Sequence, residues 1–79
     1  MSELGETKTI DARGLYCPQP VFMTKVAIEK MSVGSILKVL ANDPEAETDI
    51  SNWVHRHGHQ LLELKKNDKD LEFTIKKVK

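Results

Sequence analysis

The chain lacks the cysteine pairs on which several classes of small protein depend. It has 79 residues and one cysteine, Cys17. One cysteine cannot form an internal disulfide, and no Cys-x-x-Cys motif is present for dithiol redox chemistry. The sequence therefore excludes a disulfide scaffold and an intramolecular dithiol oxidoreductase. It predicts a protein of a reducing compartment, which we expect to be the cytoplasm.

An excess of charge of one sign and a long apolar run are also missing. The 12 Lys and Arg residues balance the 12 Asp and Glu residues, whereas proteins that bind nucleic acid usually carry a basic excess. No apolar stretch has the length of a membrane span or a signal peptide. We therefore expect neither a membrane partner nor direct binding to nucleic acid.

The apolar periodicity predicts one domain over residues 1–79, with residues 1–6 flexible. The expected order is β-α-β-α-β-β. Right-handed crossovers would place both helices on one face of a mixed four-stranded sheet, giving an α/β two-layer sandwich. The elements predicted are strands at 7–11, 36–41, 59–66 and 71–76, and helices at 18–31 and 43–57.

The position of Cys17 is the most informative feature of the chain. Because proline suits the first helical position, Pro18 is predicted to begin the first helix, with Cys17 as its N-cap. Helix N-termini and nearby cations lower the pKa of a thiol, and Arg13 lies four residues earlier. The pattern favours an activated thiolate. A buried structural cysteine is the alternative, since free cysteines are usually buried.

An exposed, reactive, single thiol is best suited to carrying a group for a short time. A group bound through one sulfur can pass to another thiol by exchange, and persulfide sulfur is such a group. Hydrolysis of the Cys–His type would need a base near Cys17. The histidines lie instead near the end of the second predicted helix, at positions 55, 57 and 59. Their spacing of two also does not place them on one helical face, so no metal site is predicted.

Several residues around the cysteine are candidates for supporting roles. The prolines Pro18 and Pro20 would start the helix and fix the loop so that the thiol projects outward. Asp11 could cap a turn or orient Arg13. Asp43 is the expected N-cap of the second helix, and it would lie near Cys17 if the first two strands are neighbours.

The segment from Asp11 to Pro20 resembles the Cys-Pro-x-Pro signature of TusA/SirA-like sulfur carriers. The similarity covers nearly the whole chain, and its further features are Gly34, Asn42-Asp43-Pro44, Asp49-Ile50 and Gly58-His59. It implies that Cys17 accepts sulfur as a transient persulfide without another cofactor. It also implies a carrier of the sulfurtransferase type rather than an independent turnover enzyme. The motif residues carried over with Cys17 are Asp11, Arg13, Gly14, Pro18, Gln19, Pro20 and Asp43.

The resemblance also implies partners. In the family the donor is a cysteine desulfurase or a rhodanese-like protein, and the acceptors include tRNA 2-thiouridine relays and other sulfur-trafficking proteins. Proteins of the TusA type have a basic residue before the cysteine and an acidic residue between the prolines. Tyr16 and Gln19 stand at those positions here, so the sequence leaves the identity of donor and acceptor open.

Two other function classes remain possible from the sequence. One is a regulatory or nucleic-acid-binding module in which the cysteine is incidental. Its support is the basic C-terminal hairpin, with lysines at positions 65, 66, 69, 76, 77 and 79. The other is a redox-sensing thiol, which would form sulfenic acid but accept no sulfur.

Overall fold

The computed structural model describes residues 6–79. It confirms the predicted order of elements. The strands are β1 (Thr7–Asp11), β2 (Ile36–Ala41), β3 (Gln60–Asn67) and β4 (Asp70–Lys76), and the helices are α1 (Gln19–Glu29) and α2 (Ala46–Arg56).

The strands form one mixed sheet in the order β1-β2-β4-β3. β1 runs parallel to β2, while β4 lies antiparallel between β2 and β3. Both helices cover one face of this sheet, as the predicted α/β two-layer sandwich requires. Because β1 and β2 are parallel neighbours, the loops that follow them meet at the same edge of the sheet.

The core lies between the sheet and the two helices. Alternate residues of β2 and β4 point into it, since side chains along a strand alternate between faces. The helices contribute a few residues each. The fully buried large side chains include Ile28, Leu37, Val39, Ile50, Val54, Phe73 and Ile75. Phe22, on the apolar face predicted for α1, is instead 62% exposed.

The start of α1 differs from the prediction. Pro18 occupies the N-cap position, and the helix begins at Gln19, so Cys17 is not the N-cap. The peptide bond between Cys17 and Pro18 is cis. The Gln19 N–H donates to the Tyr16 carbonyl at 2.8 Å, which forms a turn ahead of the helix. Cys17 therefore belongs to this turn and lies one residue further from the helix than expected.

The start of α2 also lies later than predicted. Residues 44 and 45 form a turn, and Glu45 is the N-cap of a helix that starts at Ala46. Asp43 caps that turn instead of the helix: its Oδ1 accepts the Glu45 N–H at 3.2 Å. The predicted end of α2 is confirmed at Gly58, which follows the C-cap His57 with a φ of +79°.

At the other end of the strands, the residue that follows β4 contacts the C-terminal end of α1. The Lys77 Nζ donates to the carbonyls of Ile28 and Met31 at 2.8 and 2.6 Å, and a cation is favourable at this end of a helix. The flexible N-terminus that we expected falls mostly on residues 1–5, which lie outside the described residues. Glu6 accepts the Ile36 N–H at 2.7 Å. Neither described helix is long and apolar enough to cross a membrane.

Candidate functional site

The site lies where two loops meet at the carboxyl edge of β1 and β2. We call residues 12–18 the thiol loop and residues 42–45 the acidic loop. Gly14, with a φ of +86°, lets the thiol loop turn back toward the acidic loop. Its N–H donates to the Asn42 Oδ1 at 2.9 Å. Side chains of the acidic loop thus hold the backbone of the thiol loop.

Asp43 forms the second and more buried of these contacts. Its side chain is mostly buried, and its Oδ2 accepts the Cys17 N–H at 2.7 Å. Its other oxygen, Oδ1, accepts the Glu45 N–H. One carboxylate therefore fixes both loops at once, 26 residues apart in sequence. A hydrogen bond that involves an ionised acceptor is stronger than a neutral one, which suits this bridging position.

The Cys17 side chain faces α2. Cys17 is exposed, so the alternative of a buried structural cysteine is wrong. Its Sγ donates to the Asp49 Oδ2 at 2.8 Å. The Glu45 carboxylate lies close as well, because one ligand atom of each of Cys17, Glu45 and Asp49 falls within 4.8 Å of the others. These three groups could contact a cation, and the sequence analysis did not foresee them as a cluster.

This acidic environment overturns the expectation of a thiolate. The hydrogen bond to Asp49, followed by desolvation and by the negative charges of Asp49, Glu45 and Asp43, raises the pKa of the Cys17 thiol to about 11. The first turn of α1 has few N–H groups to offer an anion, because Pro18 and Pro20 have none and the Gln19 N–H donates to the Tyr16 carbonyl. At neutral pH the sulfur is therefore a thiol and not an anion.

Arg13 does not supply the cation that the sequence suggested. Its guanidinium binds both carboxylate oxygens of Asp11 at 2.9 Å, and it lies 3.9 Å from Asp70 on β4. The backbone N–H of Arg13 also donates to Asp11. These contacts lower the pKa of Asp11 to about 2. Asp11 thus orients Arg13, as considered from the sequence. The guanidinium, however, faces Asp11 and Asp70 and does not contact the sulfur.

A shallow pocket opens beside the sulfur. It has a volume of about 280 Å³ and is lined by Cys17, Pro18, Val21, Asp49, Asn52, Trp53 and Arg56. Trp53 also packs against the core, and it stacks on His57 with ring centroids 4.7 Å apart. Gln19, between the two prolines, is exposed. The pocket combines one reactive atom, an apolar wall and charges of both signs, which is enough to seat a small thiol-bound group.

The histidines lie apart from the sulfur site. His57 and His59 both stack on Trp53, and the His59 Nδ1 accepts the Val78 N–H at 3.1 Å. His57 Nδ1 lies 3.1 Å from the Trp53 carbonyl. The rings of His57 and His59 therefore pack at the end of α2. Among the described residues, no histidine lines the pocket beside Cys17.

Comparison with known proteins gives a consistent family. The model of the family "Sulfurtransferase TusA" matches residues 8–77. A "Putative sulfur carrier protein" of Archaeoglobus fulgidus is 47% identical over 73 residues, covering 91% of this chain and 95% of that protein. The "Sulfur carrier protein TusA" of Pseudomonas entomophila is 40% identical over 62 residues, which is 78% of each chain.

A solved structure gives the same result. The crystal structure of a SirA-like protein from Desulfitobacterium hafniense superposes with a TM-score of 0.78 at 30% sequence identity. The match covers 91% of this chain and 99% of that one. The residues that the family model matches run from the second residue of β1 to the end of β4 and include both loops of the site. The chain belongs to the TusA family.

Proposed function

We propose that the protein is a sulfur carrier, in which Cys17 accepts sulfane sulfur as a persulfide and passes it to a partner. The exposed position of the single thiol, at the edge of the sheet where two loops meet, is the observation that carries the proposal. An exposed sulfur beside a shallow pocket can be reached by the cysteine of another protein. Relatives named as sulfur carriers support this role.

The chemistry needs two partners and no further cofactor. A cysteine desulfurase or a rhodanese-like protein would donate the sulfur, and a sulfur-acceptor protein would remove it. A tRNA-thiolation relay is one such acceptor pathway. Cys17 returns to its starting state only after one partner has donated the sulfur and another has removed it. The protein therefore acts as a shuttle between partners and not as an independent turnover enzyme. We place this exchange in the cytoplasm, where thiols stay reduced.

The surface around Cys17 suits contact with a protein. Tyr16 is 74% exposed directly before the cysteine. Large aromatic side chains are enriched at protein interfaces. A docked partner would cover Tyr16 while its cysteine approaches Cys17.

The alternative of a nucleic-acid-binding module has little structural support. Lys66 pairs with Glu47 at 3.0 Å, and Lys77 binds the carbonyls at the end of α1. Lys38 lies 3.9 Å from Glu72 on the open face of the sheet. Two of the six lysines of the hairpin are thus used for an ion pair or for packing, and the chain has no net charge, so we do not favour direct binding to nucleic acid.

Mass spectrometry tests the proposal directly. The protein is incubated with a cysteine desulfurase and cysteine, and its intact mass is then measured. We expect an increase of one sulfur atom that a reductant reverses, and no increase in Cys17→Ala. A wild-type protein that gains no sulfur, or a Cys17→Ala variant that still gains it, would contradict the proposal. Sulfenic acid formation without sulfur gain would favour the redox-sensing alternative.

A further inference from the structure

Asp49 contacts the atom that would react. Its Oδ2 accepts the hydrogen bond from the Cys17 Sγ at 2.8 Å, and the two residues are 32 positions apart in sequence. The backbone of Cys17 is also held in place, because its N–H donates to the Asp43 Oδ2 at 2.7 Å. Cys17 is therefore fixed at its backbone by one carboxylate and at its sulfur by another.

Persulfide formation changes what this carboxylate faces. In the resting carrier Sγ bears a hydrogen that it donates to Asp49. Once Sγ is bonded to a second sulfur, it has no hydrogen to donate. An ionised Asp49 would then face a sulfur without a proton, and it would repel an ionised persulfide. The proton that leaves Sγ has a ready acceptor at the distance of one hydrogen bond.

We propose that Asp49 is a catalytic residue of the sulfur carrier, which takes the proton of Cys17 when sulfur is loaded and returns it when sulfur is handed on. This inference rests on the proposed function. Asp49 lies in the segment Asp49-Ile50 that resembles the family, and its hydrogen bond to Sγ gives it a chemical role.

The loading step is balanced in atoms and charge. The donor is a protein or small-molecule persulfide, R–S–SH. The Sγ electron pair forms a bond to the outer sulfur of the donor while the Sγ proton moves to the Asp49 carboxylate. The S–S bond of the donor breaks, and its electron pair leaves with R–S⁻. The products are Cys17–S–SH, neutral Asp49 and the donor thiolate, and no net oxidation or reduction takes place.

The unloading step reverses the path of the proton. An acceptor thiolate attacks the outer sulfur, the bond between that sulfur and Sγ breaks, and Sγ leaves with the electron pair. A thiol of high pKa is a poor leaving group as a thiolate. Because neutral Asp49 would protonate Sγ as it leaves, the step avoids placing an anion among carboxylates.

Other charged groups near Cys17 are less suited to this role. Asp43 already accepts two backbone N–H groups, from Cys17 and Glu45. Glu45 is near the sulfur but does not hydrogen-bond to it, so it is the nearest competitor for the proton. Arg56 is a cation in the lining of the pocket and cannot accept a proton.

Asp49→Asn tests the proposal, because it keeps the shape and removes the basic oxygen. Glu47→Gln is the matched control on the same helix, and Glu45→Gln tests the competitor. Two quantities are measured in the presence of a chelator: the pH midpoint of Cys17 alkylation by iodoacetamide, and the rate of sulfur uptake from glutathione persulfide. The small donor removes any effect of the variants on docking to a desulfurase.

We expect Asp49→Asn to let Cys17 ionise more readily but to take up sulfur more slowly. Its alkylation midpoint should fall, since a negative neighbour is lost, while its sulfur uptake at neutral pH should slow by about 10-fold or more, as general acid–base catalysis contributes about 10²- to 10⁴-fold. Glu47→Gln should change neither. If Asp49 acted on Cys17 only through its negative charge, Asp49→Asn would instead take up sulfur faster, because its lower midpoint means more thiolate at neutral pH.

Three outcomes would overturn the assignment to Asp49. These are uptake by Asp49→Asn that is as fast as in wild type or faster, an unchanged alkylation midpoint, and a loss of uptake in Glu45→Gln in place of Asp49→Asn. Failure of the proposed function itself is recognised separately, because the wild-type protein would then take up no sulfur while its alkylation midpoint could still be measured.

Discussion

The two loops at the carboxyl edge of the sheet have similar positions but different roles. The thiol loop contains the reactive sulfur and one of the chain's three prolines, Pro18, yet it supplies few of the contacts that hold it. The acidic loop and the first part of α2 supply those contacts, from Asn42, Asp43 and Asp49. The reactive atom and the groups that control it therefore come from different segments of the chain.

The difference extends to ionisation. At the end of the thiol loop nearest β1, the Arg13 guanidinium lowers the pKa of the adjoining Asp11 to about 2. At the other end, carboxylates raise the pKa of Cys17 to about 11. The loop therefore favours the charged form of one group and the neutral form of the other. Such a site keeps Cys17 a thiol in the free carrier, so sulfur exchange requires a base that removes its proton.

Removal of Asp43 should have the largest effect on the contact between the loops. Asp43→Ala leaves the N–H groups of Cys17 and Glu45 without their shared acceptor. By analogy with lost helix caps, we expect the free energy of unfolding to fall by about 1–2 kcal/mol. Urea denaturation followed by circular dichroism measures this change.

Asn42→Ala is the matched control for that prediction. It removes one exposed hydrogen bond, to the Gly14 N–H, and should cost about 0.5–1 kcal/mol. If both variants were equally stable, or if Asn42→Ala were the less stable one, then Asp43 would not be the main link between the loops.

A smaller effect is expected at the Asp11–Arg13 pair. Asp11 has a pKa below its ordinary value in the folded protein, so the stability from this pair is present above the ordinary pKa of 3.8 and is lost as the pH falls through about 2. Nuclear magnetic resonance should show the Asp11 carboxyl titrating near 2. In Arg13→Gln its midpoint should rise toward the ordinary value, and a midpoint already ordinary in wild type would exclude the pair in solution.

Local patterns were sufficient to predict most of the fold. The alternation of Leu71, Phe73 and Ile75 indicated a half-buried strand, and Gly58 marked the end of α2. The preference for right-handed crossovers placed both helices on one face of the sheet. These features depend on residues close in sequence, or on general rules of chain connection, and both can be recognised without coordinates. The crossover preference did not make β1 and β2 neighbours, which was a condition that the structure meets.

The state of the thiol could not be predicted in the same way. The expected thiolate depended on two neighbours in sequence, Arg13 and the start of α1. The groups that decide the pKa of Cys17 lie 26 to 32 residues away, and Arg13 is held by Asp11. Asp49 was quoted as part of the resemblance to TusA/SirA-like proteins. Its distance from Cys17, however, depends on how α2 packs against the thiol loop, which no local pattern specifies.

Carboxylates from α2 and the acidic loop control the sulfur of Cys17, so the ionisation of this thiol is the decisive quantity to measure. The chain has one cysteine, so ¹³C labelling at Cβ gives a single signal to follow against pH. We predict that the signal stays at its thiol value through neutral pH, with a midpoint near 11. A midpoint at or below the usual value for cysteine, about 8.5, would contradict the account.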